Sequence, residues 1–235
     1  MKTLIAVVNA RSRSDWRNAI RSTWLPQVPR DRADVFFFVG RGEPLDYPEG
    51  VIELDCSDKY EHLPEKIRAI SKWALEREYE YMLKLDDDVV VRPTSLLCSE
   101  YERYDYTGRS NRPESAYPIP YGFSYWLSKK CMSIVSQAAL PGDGSNDDEK
   151  WVAFNLSQKG IRMRDDRRYF LHQWRLPDPE PLSRRPLRAP KRPVVVLPDP
   201  FGQTPGTFAW CVHLSVEQED KIKEFHKLFS MYGEK

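Results

Sequence analysis

Four short apolar runs, at residues 4–8, 35–39, 51–54 and 81–85, alternate with stretches of helical spacing, and that alternation admits few folds. Ser14 is positioned to cap a helix with Trp16, Ala19, Ile20, Thr23 and Trp24 on one side, ended by Pro26. Pro64 suits the first turn of a second helix, with Ile67, Ile70 and Ala74 at helical spacing. Strands and helices in this order imply an α/β fold: a mostly parallel sheet with helices on both faces. At 235 residues the chain can bury a full core, and one domain is the simplest expectation. Sheets of this kind bind ligands beyond the carboxyl ends of their strands.

The fourth apolar run ends in three adjacent carboxylates, Asp86, Asp87 and Asp88, within "YMLKLDDDVVVRP". Adjacent carboxylates repel one another and raise each other's pKa unless a cation neutralises them. A hard divalent ion does this, and Mg²⁺ or Mn²⁺ commonly joins one or two carboxylates to substrate phosphates. The competing expectation is a solvated acidic turn, but the flanking "MLKL" and "VVV" point to a rigid strand. An EF-hand is excluded by the spacing, and "VGRGEP" lacks the third glycine of a dinucleotide-binding loop.

A second acidic group, Asp147, Asp148 and Glu149, follows "PGDGS" and opens a helical pattern through Val152 and Leu156. Acidic residues there are favoured by the helix dipole, and a general base in the same place is the functional alternative. Arg17 and Arg21 share a helix face and could meet a diphosphate, or lie on a solvated face; Lys66 has the same two readings. His213 precedes "SVEQ", a capping pattern for a terminal helix, so a structural role competes with metal ligation. The four cysteines form no C-x-x-C pair and are expected to be buried free thiols. The formal charge of +1 excludes a whole-molecule field directed at nucleic acid or membrane. A local excess does exist: from 161 to 193, ten basic residues face four acidic ones in a proline-rich stretch. Much of that stretch is expected to be extended loop, either a solvated surface insertion or a site where arginines hold a phosphate-bearing acceptor and Tyr169, Phe170 and Trp174 stack on bases. "LIAVVNA" is too short to span a membrane, so the chain as given is expected to be soluble.

Several segments, in order along most of the chain, resemble the β-1,3-galactosyltransferase and Fringe-like glycosyltransferases. "RNAIRSTW" resembles R-x-x-I-R-x-T-W, and "DKYEHLPEK" is similar to D-x-Y-x-N-L-T-x-K, with His62 and Pro64 as departures. "KLDDDVVV" resembles the family's acidic motif, and "YPIPYGFSYWLS" its Y-P-x-Y…G-x-G-Y-x-x-S segment, with Ser124 where glycine is usual. "DDEKWVAFNLSQKGI" resembles E-D-V-Y-x-G…K-x-G-I with the acid order exchanged, and "CVHLSVEQ" resembles V-H-x-[LI]-S-P-E-E.

This resemblance implies a GT-A fold in a single domain over 1–235, with a basic proline-rich insertion at about 162–193. It implies a metal-dependent, inverting transfer of galactose, N-acetylglucosamine or glucose from a UDP-sugar donor to a hydroxyl acceptor, with Mn²⁺ or Mg²⁺ as cofactor. Expected metal ligands are Asp88, Asp86 and His213; expected donor contacts are Arg11, Arg17, Arg21, Lys66, Asp86 and Asp87. The base is Glu149 or Asp148, and the acceptor side is expected at Tyr121, Gly122, Trp174, Arg184 and Arg185. Partners would be the nucleotide-sugar and a glycan, with a hydroxymethylated base in DNA as the alternative acceptor. Members usually carry a membrane anchor, and none is read in this chain. A cytoplasmic site of action follows for a bacterial, phage or viral protein, and the Golgi lumen for a truncated eukaryotic domain. A non-catalytic sugar- or nucleic-acid-binding module is the reading from another class.

Overall fold

The structure is a computed structural model that describes residues 1–45, 48–110, 113, 115, 117–142, 147–166, 169–172 and 209–212, and positions 223 and 226. The first four apolar runs form β1 (Thr3–Val8), β2 (Asp34–Val39), β3 (Val51–Glu53) and β4 (Tyr81–Asp86), paired in parallel in the order β3-β2-β1-β4. The sheet then changes sense. Strand β7 (Ser124–Ser128) runs antiparallel beside β4, followed by β6 (Tyr106–Gly108) and the two-residue β8 (Arg164–Asp165). A smaller sheet joins β5 (Val89–Val91), β10 (Ala209–Val212) and β9 (Tyr169–His172).

Period-2 alternation explains why β1 is apolar throughout. Leu4, Ala6 and Val8 enter one core with α2 (Leu63–Glu76), α4 (Lys129–Gln137) and α5 (Asp148–Ser157). Ile5 and Val7 enter the other, with α1 (Ser14–Ser22) and α3 (Pro93–Leu97). Helices thus cover both faces of a mostly parallel sheet. Trp16, Trp24, Ile67, Ile70 and Ala74 are all core residues.

Several local expectations are corrected. Ser14 is the first residue of α1 rather than its cap; Arg13 holds the capping position and no side chain caps the helix. That helix ends at Ser22, before Pro26, which lies in a 3-10 turn at Leu25–Gln27. Cys56 and Cys131 are buried free thiols, but Cys98 is exposed, close to the Arg32 guanidinium at 3.2 Å. In the basic segment β8 and β9 lie in the first part; Trp174, Arg184, Arg185 and all its prolines, with most of the stretch expected to be loop, lie outside the described residues. Among the described residues no helix is long and apolar enough to cross a membrane.

Trp24 ties the α1 side to the acidic segment. It is fully buried, and its indole N–H donates to the Val89 carbonyl at 3.1 Å, one residue past the aspartate triplet. Trp24→Ala removes that donor and leaves a large void, so it should cost about 3–5 kcal/mol. Urea unfolding checks this; a loss below about 1 kcal/mol would mean that the neighbours refill the space.

Candidate active site

Strand register assembles the site. Val8 at the end of β1 lies opposite Asp86 at the end of β4, and Leu85 lies opposite Ser124. The Asp86 N–H continues the ladder to the Phe123 carbonyl at 2.9 Å, so Asn9, Asp86 and Gly122 converge at one sheet edge. They line a cleft of about 510 Å³ together with Arg13, Asp58, Lys66, Lys84, Asp87, Asp88, Asp148 and Glu149.

The three aspartates are not held on one strand, as their apolar flanks suggested. Asp86 ends β4, while Asp87 and Asp88 form the turn into β5, which belongs to the other sheet. The turn gives each carboxylate a different environment. Asp87 is buried and receives a two-pronged bond from Arg13, Nε at 2.7 Å and Nη2 at 2.6 Å, with Asn9 Nδ2 as a third donor. Burial raises its pKa and Arg13 opposes the rise. Asp86 is half-buried and accepts from Lys84 Nζ at 2.6 Å. Asp88 has neither kind of support. Its Oδ1 is buried without a hydrogen-bond partner, and burial, then the charges of Asp86 and Asp87, push the group up to about 7.

The second acidic group also divides. Asp148 is buried and accepts from the Tyr125 hydroxyl at 2.7 Å, with Lys84 Nζ at 3.7 Å. Glu149 lies across from Gly122, where a Cβ would sit 3.1 Å from its Oε2, so the absent side chain leaves room for this carboxylate. Burial, then the charge of Asp148, raise Glu149 to about 6. Both line the cleft, but Asp148 is bonded to Tyr125 and paired with Lys84, whereas Glu149 has no such side-chain partner among the described residues and packs beside Gly122.

Basic residues expected at the donor side separate into two groups. Lys66 lines the carboxylate cleft, donating to Asp58 and to the Asn9 carbonyl at 2.9 Å. Asp58 also accepts the Gly40 N–H at 2.6 Å and the Arg11 N–H. Burial raises the Asp58 pKa, but Lys66 and the two amides outweigh it and leave the group lowered. A Cβ on Gly40 would meet backbone atoms of residues 56–58 at 2.7 Å, so only glycine admits this approach. Arg11, Arg17 and Arg21 instead line a neighbouring cavity of about 420 Å³ with Ser12 and Ser14. Arg17 is buried and bonds Asn9 Oδ1 and the Ala10 carbonyl, Arg11 pairs with Glu53, and Arg21 donates to the Glu49 carbonyl at 2.6 Å.

Tyr121 stacks on Phe123, with ring centroids 5.9 Å apart, beside the cleft rather than lining it. Among the described residues no three His, Cys, Asp or Glu side chains form a metal-binding group. His213 lies outside the described residues, as does the expected terminal helix apart from its helical positions 223 and 226. The sequence reading overlooked Arg13, Asn9, Tyr125, Lys84 and Tyr60, whose ring is 65% exposed at the cleft rim. For Lys84 a signal existed: a lone charge inside the apolar "MLKL" strand. Tyr60 and Tyr125 stand at tyrosine positions of the quoted motifs, whereas Arg13 and Asn9 meet Asp87 across more than seventy residues.

Comparison with known proteins accords with this geometry. A glycosyltransferase involved in the glycosylation of the major capsid of PBCV-1 superposes with a TM-score of 0.54 at 11% identity, covering 96% of this chain and 98% of that one. A candidate nucleotide-diphospho-sugar transferase from Desulfovibrio desulfuricans G20 gives 0.48 at 14% identity, covering 69% and 78%. No curated protein sequence matches the chain. The fold is thus of the GT-A glycosyltransferase kind, a parallel half-sheet ending in a carboxylate-lined cleft. A model of the Galactosyltransferase family matches residues 15–141, from the first helix through the acidic turn and Gly122 to the end of α4. With over half its length so matched, and with this cleft where the strands end, the chain belongs to the Galactosyltransferase family and is a glycosyltransferase.

Proposed function

We propose that this glycosyltransferase moves a hexose, namely galactose, N-acetylglucosamine or glucose, from a UDP-sugar to a hydroxyl acceptor with inversion at the anomeric carbon. The observation that carries the reading is Glu149, a cleft-facing carboxylate raised to about 6, in the same cleft as the acidic turn. In the reaction Glu149 takes the proton of the acceptor hydroxyl as that oxygen bonds to the anomeric carbon. The bond from that carbon to the diphosphate oxygen breaks on the opposite side, and UDP leaves. Asp148, held by Tyr125 and Lys84, serves the helix start that presents Glu149.

The acidic turn fits a hard divalent cation. Asp88 brings a buried oxygen with no partner and a carboxyl group that its neighbours make difficult to ionise, which is how an oxygen site for Mn²⁺ or Mg²⁺ is expected to look without its ion. Asp88 and Asp86, with His213, are the proposed ligands, and the bound ion would neutralise charge growing on the leaving diphosphate. Lys66 is the proposed donor contact from the cleft side, and Arg11, Arg17 and Arg21 bring positive charge beside it. Gly122 and Tyr121 lie on the acceptor side of this reading, and no observation among the described residues favours a nucleic-acid acceptor. A binding module without chemistry would not need an open base beside the acidic turn, and it predicts no UDP-sugar hydrolysis with or without Mn²⁺.

Glu149→Gln should lower turnover by about a hundredfold or more and leave UDP-sugar affinity within about threefold. Because the base works only unprotonated and its pKa is raised, kcat/KM should fall as pH drops through about 6 and hold above it. Glu149→Gln should flatten that limb. Full turnover in the variant would reassign the base.

Asp88→Asn and His213→Ala should each abolish Mn²⁺-dependent UDP binding, measured by calorimetry. Without metal, Asp88→Asn should not lower the melting temperature, since it removes a carboxyl group whose ionisation burial and the charges of Asp86 and Asp87 oppose and whose Oδ1 has no hydrogen-bond partner. Unchanged UDP affinity in both variants would remove the metal assignment.

A further inference from the structure

Lys84 lines the cleft, and the transfer chemistry above uses it only as a partner of Asp148. It points from the middle of β4, 1% exposed, and its ammonium meets three groups from three parts of the chain. Asp86 Oδ1 at 2.6 Å belongs to the acidic turn, the Gly122 carbonyl to the segment entering β7, and Asp148 Oδ2 at 3.7 Å to the first turn of α5. The Tyr125 ring lies below it at 5.6 Å, and the Tyr125 hydroxyl closes the network on Asp148.

These contacts converge on one quantity, the placement of Glu149. Glu149 follows Asp148 on the same helical turn, and its carboxylate occupies the space that Gly122 leaves without a side chain. One ammonium therefore holds both walls around Glu149 and ties them to the carboxylate at the donor side. An ammonium suits the task because it donates to Asp86 and to the Gly122 carbonyl while its charge attracts Asp148. A purely structural lysine would not need to join the acceptor wall to the donor carboxylate. We propose that Lys84 is a positioning residue for the transfer, setting the distance between the acidic turn and the Glu149 carboxylate. The inference rests on the base assignment made above.

Lys84→Met keeps the apolar stem and removes the ammonium. The expected result, at a temperature where the variant is folded, is a turnover loss of about a hundredfold with UDP affinity in Mn²⁺ within about threefold, since misplacing a reacting group by about 1 Å costs that much. If Lys84 acts through Glu149, the two losses will not multiply, and Lys84→Met/Glu149→Gln will be no slower than Glu149→Gln alone within about threefold. Multiplying losses, or wild-type turnover in Lys84→Met while Glu149→Gln is impaired, would overturn the positioning role and leave the base standing. Wild-type turnover in Glu149→Gln would overturn both. Should Lys84→Met fail to fold, Lys84→Met/Asp148→Asn removes the buried pair together, and the same comparison with and without Glu149→Gln decides the question.

Discussion

The parallel pairing of β1 with β4 is the constraint on which the site depends. With Val8 opposite Asp86, both strands end at one level, and the loop after β1 is carried over the acidic turn after β4. Asn9 and Arg13 from that loop reach Asp87, while Lys66 from α2 reaches the Asn9 carbonyl. A slip of one residue would turn Lys84 and Asp86 to the opposite face and bring Leu83 and Leu85 to theirs. The buried ammonium of Lys84, whose partners lie on one face only, opposes it.

Concentrated charge in the cleft is tolerated because it is divided rather than pooled. Asp87 is satisfied by Arg13 and Asn9, Asp148 by Tyr125 and Lys84, and Asp58 by Lys66 with two backbone amides. Each of these carboxylates has at least two partners within the protein. Two remain open to the cleft without such partners, Asp88 with its buried oxygen and Glu149 beside Gly122, and both are pushed up by burial and by neighbouring negative charge. Desolvation that costs stability also makes groups ready to receive a cation or a proton. Well-paired and poorly compensated carboxylates line the same cleft, and what separates them is their partners.

Much of the frame was legible because it rests on local periodicity. The four apolar runs, the helix beginning near Pro64 and the acidic residues at the start of α5 each follow from spacing within a dozen residues. Errors arose where local chemistry has more than one solution. Ser14 is a good cap by type, yet Arg13 takes the position, and its side chain bonds Asp87, more than seventy residues away. The "VVV" after the triplet looked like a continuation of β4, but it pairs with β10 instead.

The sequence by itself determined that strands and helices alternate, that carboxylates gather where one strand ends and another helix begins, and which family the motifs resemble. These properties depend on residue type and short spacing, which the linear chain carries. Tertiary structure alone decided how each carboxylate is partnered, that Asp148 bonds Tyr125 while Glu149 lies beside Gly122, and that Lys84 joins the two acidic groups. Those outcomes depend on burial and on partners brought together across the sheet. Coulombic and desolvation energies follow distance in space and leave little trace in the order of residues.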